Sequence, residues 1–472
     1  MRLKQLTSGS LIVMLVTIFN RGTGYLRDLL MTAALGASPT SQIFVFVFRV
    51  FGVVRALAAD TAIPTIVIDR YVRQYSAAKA GDGRTFLDTE WGAWWLLWAL
   101  WALILALANP FLMAFLLPSD IYTTLSGWFT FVFSVIFGIG LSTTSVSAVY
   151  PSLFQAQGRF FAHSALASLL NIVFISTFLI MLLLNIDNLE LLSLQVAVAL
   201  AVAGLLQIMI SCIAIGHPFA AVIWPFQFPR PRRFHLRLAL DTLTKMAPVS
   251  IFNASSPLAA ILATLVLVQY NLNITYFFIA ERLVQLVPGT VGYALGIVIL
   301  PMAARARRNK ASDFPQMVTL ISVLLVAGCI IAALLHQFSR PVIDLLYQHL
   351  NFTAGDALTT SVVLSSIAVS VLPLLIEPVL TNRLFAHTCM WANILLLTGS
   401  IAICFLVWLL KEWLGTLLGG SHTSEACAVF IFIIATRVIL LIILNVAISY
   451  QFLYETFRLQ GQWSFIMRLF RL

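Results

Sequence analysis

Apolar residues run along this chain in blocks of about twenty or more, broken by short polar stretches rich in Lys and Arg. Such blocks recur at roughly 8–34, 41–67, 91–117, 122–149, 161–185, 190–215, 242–269, 275–303, 315–337, 357–382, 388–410 and 427–453. A helix that crosses a bilayer needs about 20 mainly apolar residues. The pattern therefore predicts an all-α polytopic membrane protein with about twelve transmembrane helices. The first two blocks carry internal charges, but the charges are concentrated and the flanks stay apolar. Arg2 and Lys4 ahead of Leu11–Phe19 imitate a signal peptide. Arg21 interrupts that stretch too soon and further spans follow, so it is expected to remain as the first span.

The polar stretches assign sidedness. With the N-terminus in the cytoplasm, the loops on that side carry Arg70, Arg73, Lys79, Arg84, Arg159, Arg230, Arg232, Arg233, Arg237, Arg305, Arg307, Arg308, Lys310 and Arg383, whereas the opposite loops carry Arg340 and Lys411. This is the positive-inside bias, and it places both termini in the cytoplasm with an even number of spans. The longest interruption contains "WPFQFPRPRRFHLR". It divides the chain into an N-terminal lobe (1–216), a basic cytoplasmic linker (217–240), a C-terminal lobe (241–455) and a cytoplasmic tail (456–472). Six spans on each side of a basic linker is a common transporter plan.

Composition narrows the class further. Of 472 residues, 61% are hydrophobic and 10% charged, against about 25% charged in soluble proteins. Ordinary solubility is excluded. Five Cys without a C-x-x-C spacing exclude a disulfide scaffold and act as small apolar packing residues. The seven His show no zinc-ligand spacing, so no metal or cofactor is expected. No Ser/His/Asp or paired-carboxylate constellation suggests an enzyme. Trp91, Trp94, Trp95, Trp98 and Trp101 are expected to form an interfacial, lipid-facing belt.

Six cations lie far from the loops: Arg21, Arg27, Arg49, Arg55, Arg282 and Arg437. An Arg at a span centre costs about 2.5–3.5 kcal/mol on insertion scales, tolerable only beside a partner or a wet cavity. Helical spacing puts Arg21 and Asp28 on one face, and Gln42, Arg49 and Asp60 on one stripe. Arg282 shares its helix with Glu281 and Gln285, and Pro288 can kink it. Ion pairing with Asp28, Asp60 and Glu281 explains part of the set. Surplus guanidinium groups on several helices suit a diphosphate, because the planar fork binds two oxygens at once. Arg437 has no acid near it in sequence and is expected to be structural or to face headgroups.

Several segments resemble the lipid II flippase family of bacterial cell-wall synthesis (MurJ/MviN). "FNRGTGYLRDLLMTAALGAS" at 19–38 is similar to the family's first helix, "FRVFGVVRALAADTA" at 48–62 to its second, and "AERLVQLVPGTVGYALGIVILP" at 280–301 to its eighth; "TKMAPV" at 244–249 and "LLYQHLNFTAGDAL" at 345–358 also fit. The resemblance implies a member of the multidrug/oligosaccharidyl-lipid/polysaccharide exporter superfamily, with two six-helix lobes around a central cavity. It implies substrate-binding roles for Arg21, Arg27, Arg55 and Arg282, with Asp28, Gln42, Arg49, Asp60, Glu281 and Gln285 as secondary cavity residues. The chain departs from the family at Gln42 and Gln285, where carboxylates are usual, and near Glu377, where a basic residue is usual. The family usually has fourteen spans. The expected function is translocation of an undecaprenyl-diphosphate-linked sugar, lipid II or a related precursor, across the bacterial inner membrane by alternating access. The expected partners are that lipid substrate and the surrounding membrane lipids, with no nucleic acid, the protein acting as a monomer. The rival expectations are a cation-coupled multidrug antiporter and a non-transporting membrane scaffold.

Overall fold

In the computed structural model, residues 3–59, 62–72, 83–157, 159–184, 188–216, 232–292, 314–387, 390–418 and 420–459 are described. Among them the regular elements are helices, with no strand. They are α1 (Leu3–Leu35), α2 (Pro39–Leu57), α3 (Ala62–Arg70), α4 (Gly83–Leu116), α5 (Ser119–Tyr122), α6 (Gly127–Val146), α7 (Val149–Ala156), α8 (Phe160–Leu184), α9 (Leu189–Ile215), α10 (Arg232–Gln269), α11 (Ile274–Val287), α12 (Phe314–Gln337), α13 (Ser339–Tyr347), α14 (Ala354–Ile367), α15 (Val371–His387), α16 (Met390–Leu409), α17 (Lys411–Leu417) and α18 (His422–Leu459). A π turn, Pro288–Gly292, follows α11, and a 3-10 turn, Ala368–Ser370, joins α14 to α15.

The twelve expected tracks are mainly helical where they are described, with turns at 58–59, 123–126 and 147–148. Eight of them are long and apolar enough to cross a membrane, or nine if the pair Thr398–Leu409 and Lys411–Leu417, bent by 72°, is one span. These counts concern the described residues. The track at 8–34 carries Arg21, Arg27 and Asp28, and the one at 275–303 leaves α-helical geometry at Pro288. Of the linker expected at 217–240, residues 217–231 lie outside the described residues; the rest opens α10.

Local chemistry sets several helix ends. Ser38 accepts the Ser41 N–H at 3.3 Å ahead of Pro39, so α2 starts with a side-chain cap and a proline in its first turn. Gly36, at φ +59°, makes the preceding turn, and a Cβ there would collide with the Asn351 carbonyl oxygen. Only glycine satisfies both demands.

The chain forms two compact units, Met1–Phe278 with Ile343–Thr359, and Ile279–Val342 with Thr360–Leu472. In the first, α2 is buried along most of its length. Phe44 sits edge-to-face against Phe174, Phe178 and Phe278, with centroids 5.8, 5.3 and 6.1 Å away. Helices α4, α6 and α9 approach closely at Gly138, Gly140 and Gly204, where a Cβ would meet neighbouring backbone at 2.7, 2.9 and 2.9 Å. Polar groups bond across the same seam. Ser142 donates to the Trp98 carbonyl at 2.6 Å, Trp98 Nε1 to Thr143 at 3.0 Å, and Ser147 to Gln207 at 2.6 Å.

The tryptophan expectation needs correcting. Trp91 and Trp94 are buried in the core of the first unit with Tyr150, Phe154 and Met246. Their helix is packed on by α6, α7 and α10, and burying a large indole there outweighs its interfacial preference.

In the second unit, α15 and α18 share a polar seam. Arg383, expected in a loop, is instead a buried residue of α15. It donates from Nη1 to the Asn445 carbonyl (3.1 Å) and Oδ1 (3.0 Å), and from Nη2 to Ser449 Oγ (2.8 Å). Arg437 of α18 is paired with Glu377 of α15, Nη2 to Oε1 at 3.2 Å. The acid sequence spacing could not find for Arg437 thus comes from another helix.

Candidate functional site

A buried polar cluster of the first unit centres on Arg27 of α1. Its Nε donates to Asp28 Oδ1 at 2.8 Å and its Nη1 to Asn171 Oδ1 at 3.1 Å. The guanidinium lies over the Phe48 ring, 4.1 Å from the centroid. Salt bridge, hydrogen bond and cation–π contact together offset the desolvation of a charge that is 5% exposed. Sequence spacing grouped Arg21 with Asp28. The structure joins Asp28 to its immediate neighbour Arg27, whose long side chain folds back over a single step of helix.

Asn171 of α8 escaped sequence analysis. Its Oδ1 receives Arg27, while its Nδ2 faces the Asn20 carbonyl (3.1 Å), Asn20 Oδ1 (2.9 Å) and Thr23 Oγ1 (3.2 Å). It therefore fixes the Asn20–Arg27 turns of α1 against α8. The signal was present: a single amide in the apolar run "ASLLNIVF". An intramembrane amide is expensive without partners.

The stripe on α2 is realised in part. Gln42 accepts the Ile274 N–H at 3.4 Å, and Arg49 lies 5.6 Å from the centroids of both Phe277 and Phe278. Both residues thus face the segment 274–278. Beside them, Ser41 Oγ meets Thr275 Oγ1 at 2.9 Å, and Asn273 Nδ2 donates to the Ala37 carbonyl at 2.6 Å. Asp60, the third member of the stripe, lies outside the described residues.

Arg21 and Arg55 are exposed, whereas Arg27 and Arg49 are buried. The first unit therefore carries four intramembrane arginines in two environments, two clasped by packing and two on its surface.

On α11 of the second unit, Arg282 is half-buried between buried Glu281 and half-buried Gln285. Gln285 Nε2 donates to Glu281 Oε1 at 2.6 Å, so the glutamine holds its neighbouring carboxylate in place. The π turn Pro288–Gly292 follows at once and packs on α15. Proline removes a backbone donor, and the wider turn accommodates the loss, as π turns do near functional positions.

Three of the acids in the expected spans have partners: Asp28 with Arg27, Glu281 with Gln285 and Glu377 with Arg437.

A family model described as "Lipid II flippase MurJ" matches residues 31–446. A protein of Rhizobium tropici described as "Probable lipid II flippase MurJ" is 24% identical over 352 residues, covering 72% of this chain and 63% of its own length. One of Rhizobium meliloti with the same description is 23% identical over 354 residues, covering 74% and 64%. The chain thus spans a little under two thirds of these relatives. Among solved structures, a lipid II flippase MurJ in an inward closed conformation superposes with a TM-score of 0.70 at 16% identity, covering 96% of this chain and 93% of that one. An inward-facing multidrug resistance MATE family transporter superposes at 0.66 with 13% identity, covering 94% and 98%.

Proposed function

This chain belongs to the lipid II flippase MurJ family, and on that premise we propose that it translocates an undecaprenyl-diphosphate-linked sugar, lipid II or a related precursor, across the bacterial inner membrane. The observation that carries this reading is the family match over residues 31–446, which takes in the buried Arg49 and the exposed Arg55 on α2 and Arg282 on α11. The diphosphate is bound by Arg21, Arg27, Arg55 and Arg282, each a guanidinium that can give two parallel N–H bonds to phosphate oxygens.

Arg27 gives the mechanism a physical step. Its fork is held by Asp28 and Asn171. In this proposal the diphosphate joins the Arg27 fork while Asp28 keeps its bond to Nε, so the arrival of the lipid strands neither buried charge. Arg21 and Arg55, being exposed, meet the headgroup first. The sugar travels with the diphosphate while the prenyl chain stays in lipid. Alternating access carries the headgroup across, and moving a charge through the membrane potential contributes about 2.3 kcal/mol per 100 mV. Asp28, Gln42, Arg49, Asp60, Glu281 and Gln285 are the supporting polar residues in this proposal. The protein works as a monomer with both termini in the cytoplasm, a topology supported by the Lys/Arg bias of the loops, and takes no nucleic-acid partner.

The test is a flipping assay in proteoliposomes containing a fluorescent undecaprenyl-diphosphate sugar. Arg21→Ala and Arg282→Ala are expected to abolish transport while the protein stays folded. Transport at the native rate in both variants would overturn the reading.

The MATE likeness favours a second reading, a cation-coupled multidrug antiporter. Drug cations need acids, and three of those in the expected spans, Asp28, Glu281 and Glu377, already have partners. Export of a cationic dye by the same vesicles, without movement of the lipid, would establish that reading instead.

A further inference from the structure

Helix α10 is fastened to the first unit at both ends, by different chemistry. Where α10 runs into α11, the fastening is neutral and compact. Asn273 donates to the Ala37 carbonyl at 2.6 Å, Ser41 meets Thr275 at 2.9 Å, and Asn271 Oδ1 accepts the Ser119 N–H at 3.1 Å and its Oγ–H at 3.0 Å. Nearer its start, on the side the loop charges assign to the cytoplasm, the fastening is ionic. Arg70, the last residue of α3, reaches Glu90 of α4 at 3.1 Å and Asp241 of α10 at 2.8 Å. Asp241 also receives Lys245 at 2.8 Å, one helical turn along α10.

The four charges form a chain that runs from the interior to water. Side-chain exposure is 6% for Arg70 and 2% for Glu90, but 43% for Asp241 and 58% for Lys245. We infer that the Arg70–Asp241 bond is a releasable latch, and that the cytoplasmic end of α10 swings away from α3 and α4 about its neutral anchor at residues 271–275.

The reason is the sharing of partners. Breaking a buried ion pair is costly when it strands a charge. Here Arg70 keeps Glu90 and Asp241 keeps Lys245, so opening strands neither. The bond that breaks is also the one water reaches, where screening is effective. The bonds of the neutral anchor join uncharged groups, which salt does not screen. Release separates a tight contact: a Cβ on Gly92 of α4 would lie 2.5 Å from the ring of buried His235 on α10, and Ala239 and Met246 of α10 belong to the core beside Phe86, Leu87 and Trp91. The latch works on α10 whichever lipid or solute the protein carries.

The test uses the full chain in nanodiscs with Ala239→Cys, following maleimide modification of the peptide that carries residue 239 by mass spectrometry. Residue 239 is expected to react slowly in the native background and about fivefold faster with Asp241→Asn, the population change that an ion pair of this exposure can hold. Raising salt to about 0.5 M is expected to speed the native background and leave Asp241→Asn unchanged. Lys245→Ala is expected to react no faster than native. Equal rates in the native and Asp241→Asn backgrounds, or a Lys245→Ala rate matching Asp241→Asn, overturns the latch. Should Asp241→Asn fail to fold, the salt response of the native background decides: no acceleration overturns it. A protein that shows the latch but moves no lipid leaves the latch standing and removes the proposed function alone.

Discussion

Arg27 and Arg437 are both buried arginines on membrane helices, and they are held in opposite ways. Arg27 is surrounded: a carboxylate, an amide oxygen and an aromatic face each take part of it. Arg437 makes one ion pair, with Glu377, while its Nε and Nη1 are buried without a hydrogen-bond partner among the described residues. The second arrangement is the costlier per charge, because an unsatisfied buried donor forfeits about 1–3 kcal/mol. The difference teaches that a buried cation is not one kind of evidence. A fully engaged one is positioned by its surroundings, whereas a half-engaged one is tolerated by them.

Four measurements break or sharpen that contrast. The largest effect belongs to Arg27→Ala, which removes the bond that Asp28 receives from Arg27 Nε at 2.8 Å. A loss of about 3–5 kcal/mol in unfolding stability is expected, together with failure to rescue growth of a flippase-depleted strain. Near-native stability would show that Asp28 finds water and that the cluster is wetter than its packing suggests. Next comes the pair in the second unit. Arg437→Met alone strands Glu377 and destabilises, while the double variant Arg437→Met/Glu377→Met is expected to recover native stability or exceed it by about 1–4 kcal/mol. If transport survives in the double variant, the pair is packing; if transport is lost from a stable protein, it is machinery.

A smaller effect is expected for Asn171→Leu, which removes the amide that joins α8 to Arg27, Asn20 and Thr23. The loss is about 1–3 kcal/mol in thermal or denaturant unfolding, and a deficit confined to the region of Asn20–Arg27 in hydrogen exchange would locate it. The smallest is a pH effect at Asp241. The Lys245 ammonium, and then Arg70, hold the Asp241 carboxyl below the usual carboxylate range against the opposing push of burial. A depressed folded-state value contributes stability that is present above the ordinary carboxylate pKa and fades as pH falls through the lowered one. Modification at residue 239, taken as the ratio to a free cysteine peptide at the same pH so that the falling thiolate fraction cancels, is therefore expected to stay low from pH 7 to about 5 and to rise only below about 4.

Much of this was legible before any coordinates. The helical tracks followed from the spacing of apolar blocks, and Gln42 and Arg49 were placed on one stripe and do face one segment. The partners were not legible. Asp28 pairs with its neighbour Arg27, Glu377 with Arg437, and Asn171 with Arg27, each pairing decided by rotamer or by a helix distant in sequence. Arg70 and Arg383 were counted among loop charges and are buried helix residues. A charge at the edge of an apolar block looks the same whether the chain there turns toward water or continues as helix under a neighbour.

What the sequence determined by itself is the kind of structure: helices long enough to cross a bilayer. Hydrocarbon offers no partner to backbone N–H and C=O groups, so each apolar block has to satisfy its own. That demand is met within a few residues along the chain, and local pattern is enough to see it. Which charges are clasped, which stay exposed and where α10 is latched were decided by tertiary structure alone. These depend on the rotation and depth of one helix against another, and a few ångströms separate an ion pair from a bare charge.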